Sequence, residues 1–319
     1  MAAPPSETSQ RLLRRFALAA LVTNIGIVVT GGLVRVTGSG LGCPTWPTCD
    51  GETIVPRPGS GHATWQTAVE FGNRLLTFVV LAAVVGAFVQ VRRTRPHTRA
   101  VERLAWALPL GVLLQAVVGG ITVRMQLSPV TVAVHFLLSM VLIALAATLY
   151  ERVRGEERRT TPAAVPAVVA PGVRHATTAL LAVAAVVLVL GTIVTGAGPH
   201  AGDPGTPRLG VDIRFAAIAH ADAVWLLVGL TVALVAVTWR PGPPSLRRTL
   251  RWLLALEVAQ GAIGYTQYAL GIPEALVAMH ILGSTLVWTL AVFGWVRARP
   301  LGSGPGPDAP ADARAARAA

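Results

Sequence analysis

Residues 115–139 read QAVVGGITVRMQLSPVTVAVHFLLS, and residues 260–284 read QGAIGYTQYALGIPEALVAMHILGS. In both stretches a Gln is followed four residues on by Gly (Gly119, Gly264) and twenty on by His (His135, His280). Each His then opens the pattern H-x-L-x-S, which ends at Ser139 and Ser284. Two such copies, 145 residues apart in a chain of 319, mark an internal duplication, so the chain reads as two halves. A Pro (Pro129, Pro273) precedes each His-bearing apolar run, and Pro is favoured where a helix starts. Each His therefore lies roughly 10 Å inside a long apolar helix at 1.5 Å per residue. A polar, metal-competent ring at that depth needs a reason.

The hydrophobic fraction is 53%, the charged fraction 13% and the mean hydropathy +0.60. A soluble chain carries about 25% charged residues, and here apolar runs of about 20 residues recur, the length that crosses a bilayer as helix. The sequence thus predicts an all-α membrane protein. The net charge of +12 comes from Arg alone, since there is no Lys. It is read as membrane topology, with no nucleic-acid partner.

Arg11, Arg14 and Arg15 precede the first apolar run, 16–36. That run is too long for a signal peptide, and seven more follow, near 67–91, 103–123, 129–150, 175–197, 214–238, 250–270 and 274–296. The basic segments 92–99, 151–159 and 240–248 and the tail after Val296 then share one side with the N-terminus. That side holds 21 Arg and the other six, which makes the first side cytoplasmic, with both termini inside. The expected organisation is a cytoplasmic segment 1–15 (its first ten residues disordered), a four-helix half 16–150, a cytoplasmic linker 151–174, a second four-helix half 175–296 and a disordered tail 297–319. Four spans per half send both halves into the membrane in the same direction, as two pseudo-symmetric four-helix bundles related about the membrane normal. Spans one and five also echo each other, VTGSG (36–40) against VTGAG (194–198). Spans two and six set Asn73 opposite His220. Asn73, His135, His220 and His280 then occupy one layer near the outer surface.

Any single buried imidazole is most simply a hydrogen-bonded core residue. Three in one layer, at duplicated positions, point instead to ligands. No Cys lies at membrane depth, and His pairs on facing helices suit haem iron better than zinc. A c-type attachment site, C-x-x-C-H, is absent from the sequence. Glu70 sits one turn before Asn73 on the same helix face; it is either a functional carboxylate or an interfacial residue near the helix start. Arg35 and Arg74, near outer span ends, have three readings: haem propionates, Glu70, or snorkelling. Asp222 and Glu257 are further intramembrane carboxylates that call for an Arg or His partner. His62 and His200 are weaker candidates in outer loops. Cys43 and Cys49, in the outer loop CPTWPTC, read as a disulfide or, alternatively, as a redox-active pair.

The run GGLVRVTGSGLGCPTWPTC (31–49), EFGNR (70–74, with Phe71 and Gly72 inside it), HFLLS and HILGS resemble the haem A synthase family in an actinobacterial-type form, the membrane haem O oxidases that serve cytochrome oxidase. The likeness covers about residues 16 to 296. It implies eight transmembrane helices and conversion of the C8 methyl of haem O to formyl by two hydroxylations, the gem-diol then losing water. It further implies a b-type haem ligated by His220 and His280, the substrate haem facing His135, Glu70 as the catalytic carboxylate, and Cys43 with Cys49 as the outer-loop pair. The implied partners are the haem O synthase (protohaem farnesyltransferase) as supplier, the lipid bilayer of the cell membrane and an unidentified electron acceptor. The haem sites are expected towards the outer leaflet. The sequence departs from the family at Asn73, where many members carry His, leaving one buried His in the first half. The alternatives are a diheme b-type electron-transfer cytochrome and a haem transporter.

Overall fold

The structure of the protein, a computed structural model, describes residues 7–57, 63–94, 97–159, 169–240 and 243–299. Among them are eight helices and no strand: α1 Glu7–Val36, α2 Thr64–Arg93, α3 Arg99–Arg124, α4 Pro129–Arg159, α5 Pro171–Ala197, α6 Ile213–Thr238, α7 Pro244–Ala269 and α8 Glu274–Arg297. Proline opens α4, α5 and α7 and caps α8. It is tolerated there because the first amides of a helix have no intrahelical acceptor. The α6 start is capped differently, by the Asp212 carboxylate accepting from the Phe215 amide at 2.8 Å.

Seven of the eight helices are long and apolar enough to cross a membrane. The remaining one, α7, is equally long at 26 residues. It is more polar, with Arg247, Arg248 and Arg251 early and Glu257, Gln260 and Gln267 later. Large apolar side chains such as Phe78, Phe215, Trp225 and Trp252 stand more than half exposed around the helices. Such a surface suits lipid and would be an association hazard in water.

Several boundaries differ from expectation: α5 begins at Pro171, inside the expected linker, and α7 at Pro244, inside the basic segment 240–248. The first helix begins at Glu7, so residues 7–10 are helical, and the Glu7 carboxylate accepts from Arg11 one turn on. α4 continues through 151–159, the first part of the expected linker. Cross-helix bonds hold that extension: Arg297 of α8 donates to both Glu151 oxygens at 2.7 Å, and the Glu156 carboxylate meets His97 and the Thr98 amide ahead of α3. Residues 1–6, 160–168 and 300–319, which include the rest of the linker and most of the tail, lie outside the described residues.

In the packing order, α1 meets α2, α2 meets α3, α3 meets α4, and α4 returns to α1. Helices α5 to α8 meet in the same cyclic order, and α8 also touches α1 and α4. At that seam the Trp288 indole donates to the Met140 carbonyl at 2.7 Å, and Gly32 lets Ile281 approach the α1 backbone. The turn from α3 to α4 has Gln126 and Leu127 at φ 51° and 57°; the turn from α7 to α8 has Gly271 and Ile272 at 76° and 62°. These positions correspond in the repeated stretches. The same left-handed pair closes both hairpins, although three of the four residues pay the Cβ penalty of that conformation.

Candidate functional site

The site is assembled from the same contact, made four times. Each helical hairpin sets a glycine on its first helix against a polar side chain on its second: Gly31 against Asn73, Gly119 against His135, Gly191 against His220 and Gly264 against His280. A Cβ at Gly119 would stand 3.1 Å from the His135 ring, and one at Gly191 would stand 3.3 Å from His220. The missing methyl is what lets each side chain lie against the neighbouring backbone. The Gln–Gly–His spacing made Gly119 and Gly264 visible in the sequence. Gly31 and Gly191 were missed because their hairpins do not share that spacing.

His220 and His280 face each other across α6 and α8, with ring centroids 6.4 Å apart and planes at 67°. Two metal–imidazole bonds of roughly 2 Å, on opposite sides of one ion, would separate the ring centres by about 6 Å. The pair therefore fits a single metal held between two imidazoles. The tautomer fits as well. His220 Nδ1 lies 3.1 Å from the Val187 carbonyl, which only accepts, so Nδ1 carries the proton and Nε2 keeps its lone pair for a ligand. His280 Nδ1 and His135 Nδ1 are buried with no hydrogen-bond partner among the described residues. Nor do three or more His, Cys, Asp or Glu converge among those residues. The donor set is a facing pair of imidazoles.

In the first half no second imidazole faces His135 among the described residues. Asn73 instead bonds the Thr30 hydroxyl of α1 at 2.6 Å. The α4 backbone behind His135 is fixed by Gln115, whose amide donates to the His135 carbonyl at 2.8 Å and to the Ser139 hydroxyl.

Glu70 is turned towards the loop between α1 and α2. It is 5% exposed. One carboxylate oxygen accepts from the Cys43 amide at 2.5 Å and the other from Arg74 at 2.7 Å. Arg74 makes five hydrogen bonds, two to Glu70 and one each to the carbonyls of Cys43, Thr45 and Thr48. A guanidinium has five N–H donors. Of the three readings of Arg74, pairing with Glu70 is the observed one, and no donor remains for a propionate. Arg35 caps the end of α5, donating to the carbonyls of Thr195 and His200 at 2.8 and 2.5 Å, a use of a cation at a helix C-terminus that the sequence did not suggest.

Cys43 and Cys49 form a disulfide, buried at 0% and 1% exposure beneath the Glu70–Arg74 pair. Trp46 between them packs on Gly120 of α3. The backbone amide of Thr53, then that of Glu52 and the Thr53 hydroxyl, pull the Asp50 carboxyl down to about 2. This turn keeps its ionised acceptor above the usual Asp range and loses it only as pH falls towards that value.

The remaining candidates fall outside the site. His200 Nε2 donates to the Ile272 carbonyl at 2.8 Å, and His62 lies outside the described residues. Asp222 is exposed and has no Arg or His partner among the described residues. Glu257 is buried against Thr231 rather than against a cation.

Residues 14–202 match the family described as cytochrome oxidase assembly protein, COX15-CtaA. The chain is 29% identical over 269 residues to a protein of Symbiobacterium thermophilum, covering 80% of this chain and 85% of that one. It is 28% identical over 295 residues to one of Halalkalibacterium halodurans, covering 86% and 94%. It is 33% identical over 135 residues to one of Lysinibacillus sphaericus, where the match spans 42% of either chain. All three relatives bear the name heme A synthase.

Two outcomes follow from this geometry. Gly191→Ala sets its Cβ 3.3 Å from the His220 ring, which must shift by a few tenths of an ångström, so the variant loses the helix gain of about 1 kcal/mol that a Gly→Ala change otherwise brings. Gly229→Ala on α6, whose Cβ meets nothing, is neutral or stabilising by up to about 1 kcal/mol. Denaturation of both variants in detergent checks the difference. Arg74→Gln leaves Glu70 buried and unpaired, a loss of about 3 kcal/mol. The Cys43–Cys49 bond of that variant should be reduced by a water-soluble phosphine more than tenfold faster than in the parent, as read by thiol alkylation.

Proposed function

The chain belongs to the cytochrome oxidase assembly protein family COX15-CtaA, and on that premise we propose that it is a haem A synthase, an oxidoreductase that converts haem O to haem A. The observation that carries the reading is the His220–His280 pair, 6.4 Å apart between α6 and α8, in a chain aligned over most of its length with relatives of that name. The substrate is haem O, supplied by the farnesyltransferase that makes it. The product serves cytochrome oxidase.

In this reading His220 and His280 would hold a haem b in the second half, His220 with the Nε2 that its bond to the Val187 carbonyl leaves free. Bound there, haem b supplies one-electron transfer. Gly191 and Gly264 let the two rings reach that position. His135 holds the substrate haem in the first half, where Asn73 in place of a second His leaves one face open to a small ligand. A singly held porphyrin is also released more readily, which suits a substrate that enters and a product that leaves. The C8 methyl carbon is oxidised twice; each time a C–H bond breaks, its proton leaves, two electrons pass to the electron acceptor and a hydroxide is gained, and the gem-diol then loses water to give the formyl group. Glu70, one turn from Asn73, accepts a proton as the methyl carbon is oxidised. The same carboxylate holds the Cys43 amide, so the disulfide loop and the proton acceptor form one unit. Arg35 has donors beyond the two that cap α5 and is the arginine left for a propionate.

The topology belongs to the same proposal. Helices α1 to α4 and α5 to α8 form two pseudo-symmetric bundles, with the connection from α4 to α5 on the cytoplasmic side. Helix α7 crosses as the eighth span. Packed between α6 and α8, its polar side chains are shielded from lipid. Both termini are then cytoplasmic, and the disulfide and haem sites lie towards the outer leaflet of the cell membrane.

Coexpression with a haem O source, followed by chromatography of extracted haems, tests the function. The parent chain should yield haem A. His135→Ala should keep the low-spin b-type spectrum and yield haem O alone, and Glu70→Gln should bind haem and accumulate haem O. A parent that returns only haem B would be an electron-transfer cytochrome. One that returns haem O unchanged after turnover with reductant and oxygen would be a transporter.

A further inference from the structure

Three carboxylates are buried among the described residues: Glu70, Glu151 and Glu257. Glu70 pairs with Arg74 and Glu151 with Arg297. Glu257, 2% exposed on α7, faces no cation. Its Oε1 lies 2.9 Å from the Thr231 hydroxyl of α6, and its Oε2 is buried with no hydrogen-bond partner among the described residues. An unpaired carboxyl inside a membrane bundle is costly and therefore a functional candidate.

Its position relative to the paired imidazoles follows from the helix. Glu257, Gln260 and Gly264 share one face of α7 at i, i+3 and i+7. Gly264 seats His280, and Gln260 packs on Gly283 of α8. Glu257 is thus two turns, about 10 Å, below the His280 seat. Helix α7 packs against α6 and α8. Neither 223–238 of α6 nor 281–296 of α8 holds an ionisable side chain. On α7 itself the nearest are Arg251, which turns outward over the Trp239 ring at 4.3 Å, and Tyr265, which is exposed and meets Trp225. Towards the outer end, the groups on these helices are Arg214, His220 and exposed Asp222 on α6, exposed Tyr268 on α7, and exposed Glu274 and His280 on α8.

Thr231 makes the site able to hold either charge state. Its hydroxyl oxygen is 3.0 Å from the Leu227 carbonyl and 2.9 Å from Glu257 Oε1. A hydroxyl has one proton. When Thr231 donates to Leu227, Glu257 is the donor and is the neutral acid. When Glu257 is ionised, Thr231 turns its proton to Oε1. A single hydroxyl rotation interconverts the two.

We infer that Glu257 and Thr231 form a proton-binding site that takes up one proton when the centre between His220 and His280 takes up one electron. The inference rests on the ligand reading given under Proposed function. An added electron in a low-dielectric bundle is stabilised when a proton arrives with it, because the net charge is unchanged. In balance, one electron from a one-electron donor reduces iron(III) to iron(II), and one proton from water converts the Glu257 carboxylate to the acid. Reoxidation returns both. The residue at the matching place in the first half is Val112, so the device belongs to the second half alone.

The test uses the purified holo-protein, reduced with dithionite. Its readouts are the infrared difference spectrum and a redox titration of the b-type band over a pH series. The parent should gain a protonated-carboxyl band on reduction that shifts in heavy water. Glu257→Gln should lack the band and lose part of the fall of midpoint potential with rising pH. Thr231→Val should move the band, and this variant carries the test if Glu257→Gln fails to fold. Identical carboxyl bands and pH slopes in parent and Glu257→Gln, or a band unmoved by Thr231→Val, overturn the inference alone, provided the low-spin spectrum depends on His220. A spectrum that survives His220→Ala overturns the ligand reading and this inference with it.

Discussion

The close approach of a glycine backbone to a polar side chain, made once in each helical hairpin, is the contact on which the site depends. In lipid a ring nitrogen has no water to turn to, so the bundle must supply its partner or leave it for a ligand. The four seats at Gly31, Gly119, Gly191 and Gly264 fix where the polar atoms sit. The outcome differs between the halves. In the second, two imidazoles from α6 and α8 face each other. In the first, the Thr30 hydroxyl donates to Asn73, and no second imidazole faces His135 among the described residues. One architecture thus gives a place with two facing imidazoles in the second half and a place with one imidazole and one amide in the first.

The end of the molecule that carries the disulfide loop is held by charge rather than by apolar packing. Glu70 and Arg74 form an ion pair whose remaining bonds all go to the loop of Cys43 and Cys49. Arg35 ties the end of α1 to the end of α5, and the Gly40 amide meets the Gly202 carbonyl at 2.9 Å between the two outer loops. These bonds cross from one set of four helices to the other on the side where the imidazoles lie. On the opposite side Glu151 and Arg297 make a second cross-link between α4 and α8. The seam is therefore pinned at both ends. Its middle, where Trp288 meets Met140 and Gly32 meets Ile281, is left to close packing.

The helices and the His layer were legible in the sequence because both are carried by periodic, repeated signals. The apolar runs predicted eight spans, of which seven are long and apolar enough to cross a membrane and α7 is not, and the repeated Gln–Gly–His spacing placed His135 and His280 at equivalent positions of their hairpins. What escaped was whatever depended on main-chain acceptors or on pairs distant in the chain. Arg74 bonds three loop carbonyls, and Arg35 caps a helix more than 150 residues away. Neither carbonyl set has a sequence signature. The extension of α4 past residue 150 looked like a charged linker because its partners, Arg297 and His97, are remote. Asp222 and Glu257 looked alike as intramembrane acids, and only the packing separates an exposed group from a buried one.

The account turns on His220 and His280 ligating one iron with their rings crossed. Electron paramagnetic resonance of the ferric, purified protein reports that crossing directly, because imidazole planes far from parallel bring the iron orbitals close to degeneracy. With planes at 67°, the account predicts a strongly anisotropic low-spin signal dominated by one large g value. A rhombic low-spin signal typical of parallel rings, or a high-spin signal from a singly ligated haem, would contradict it.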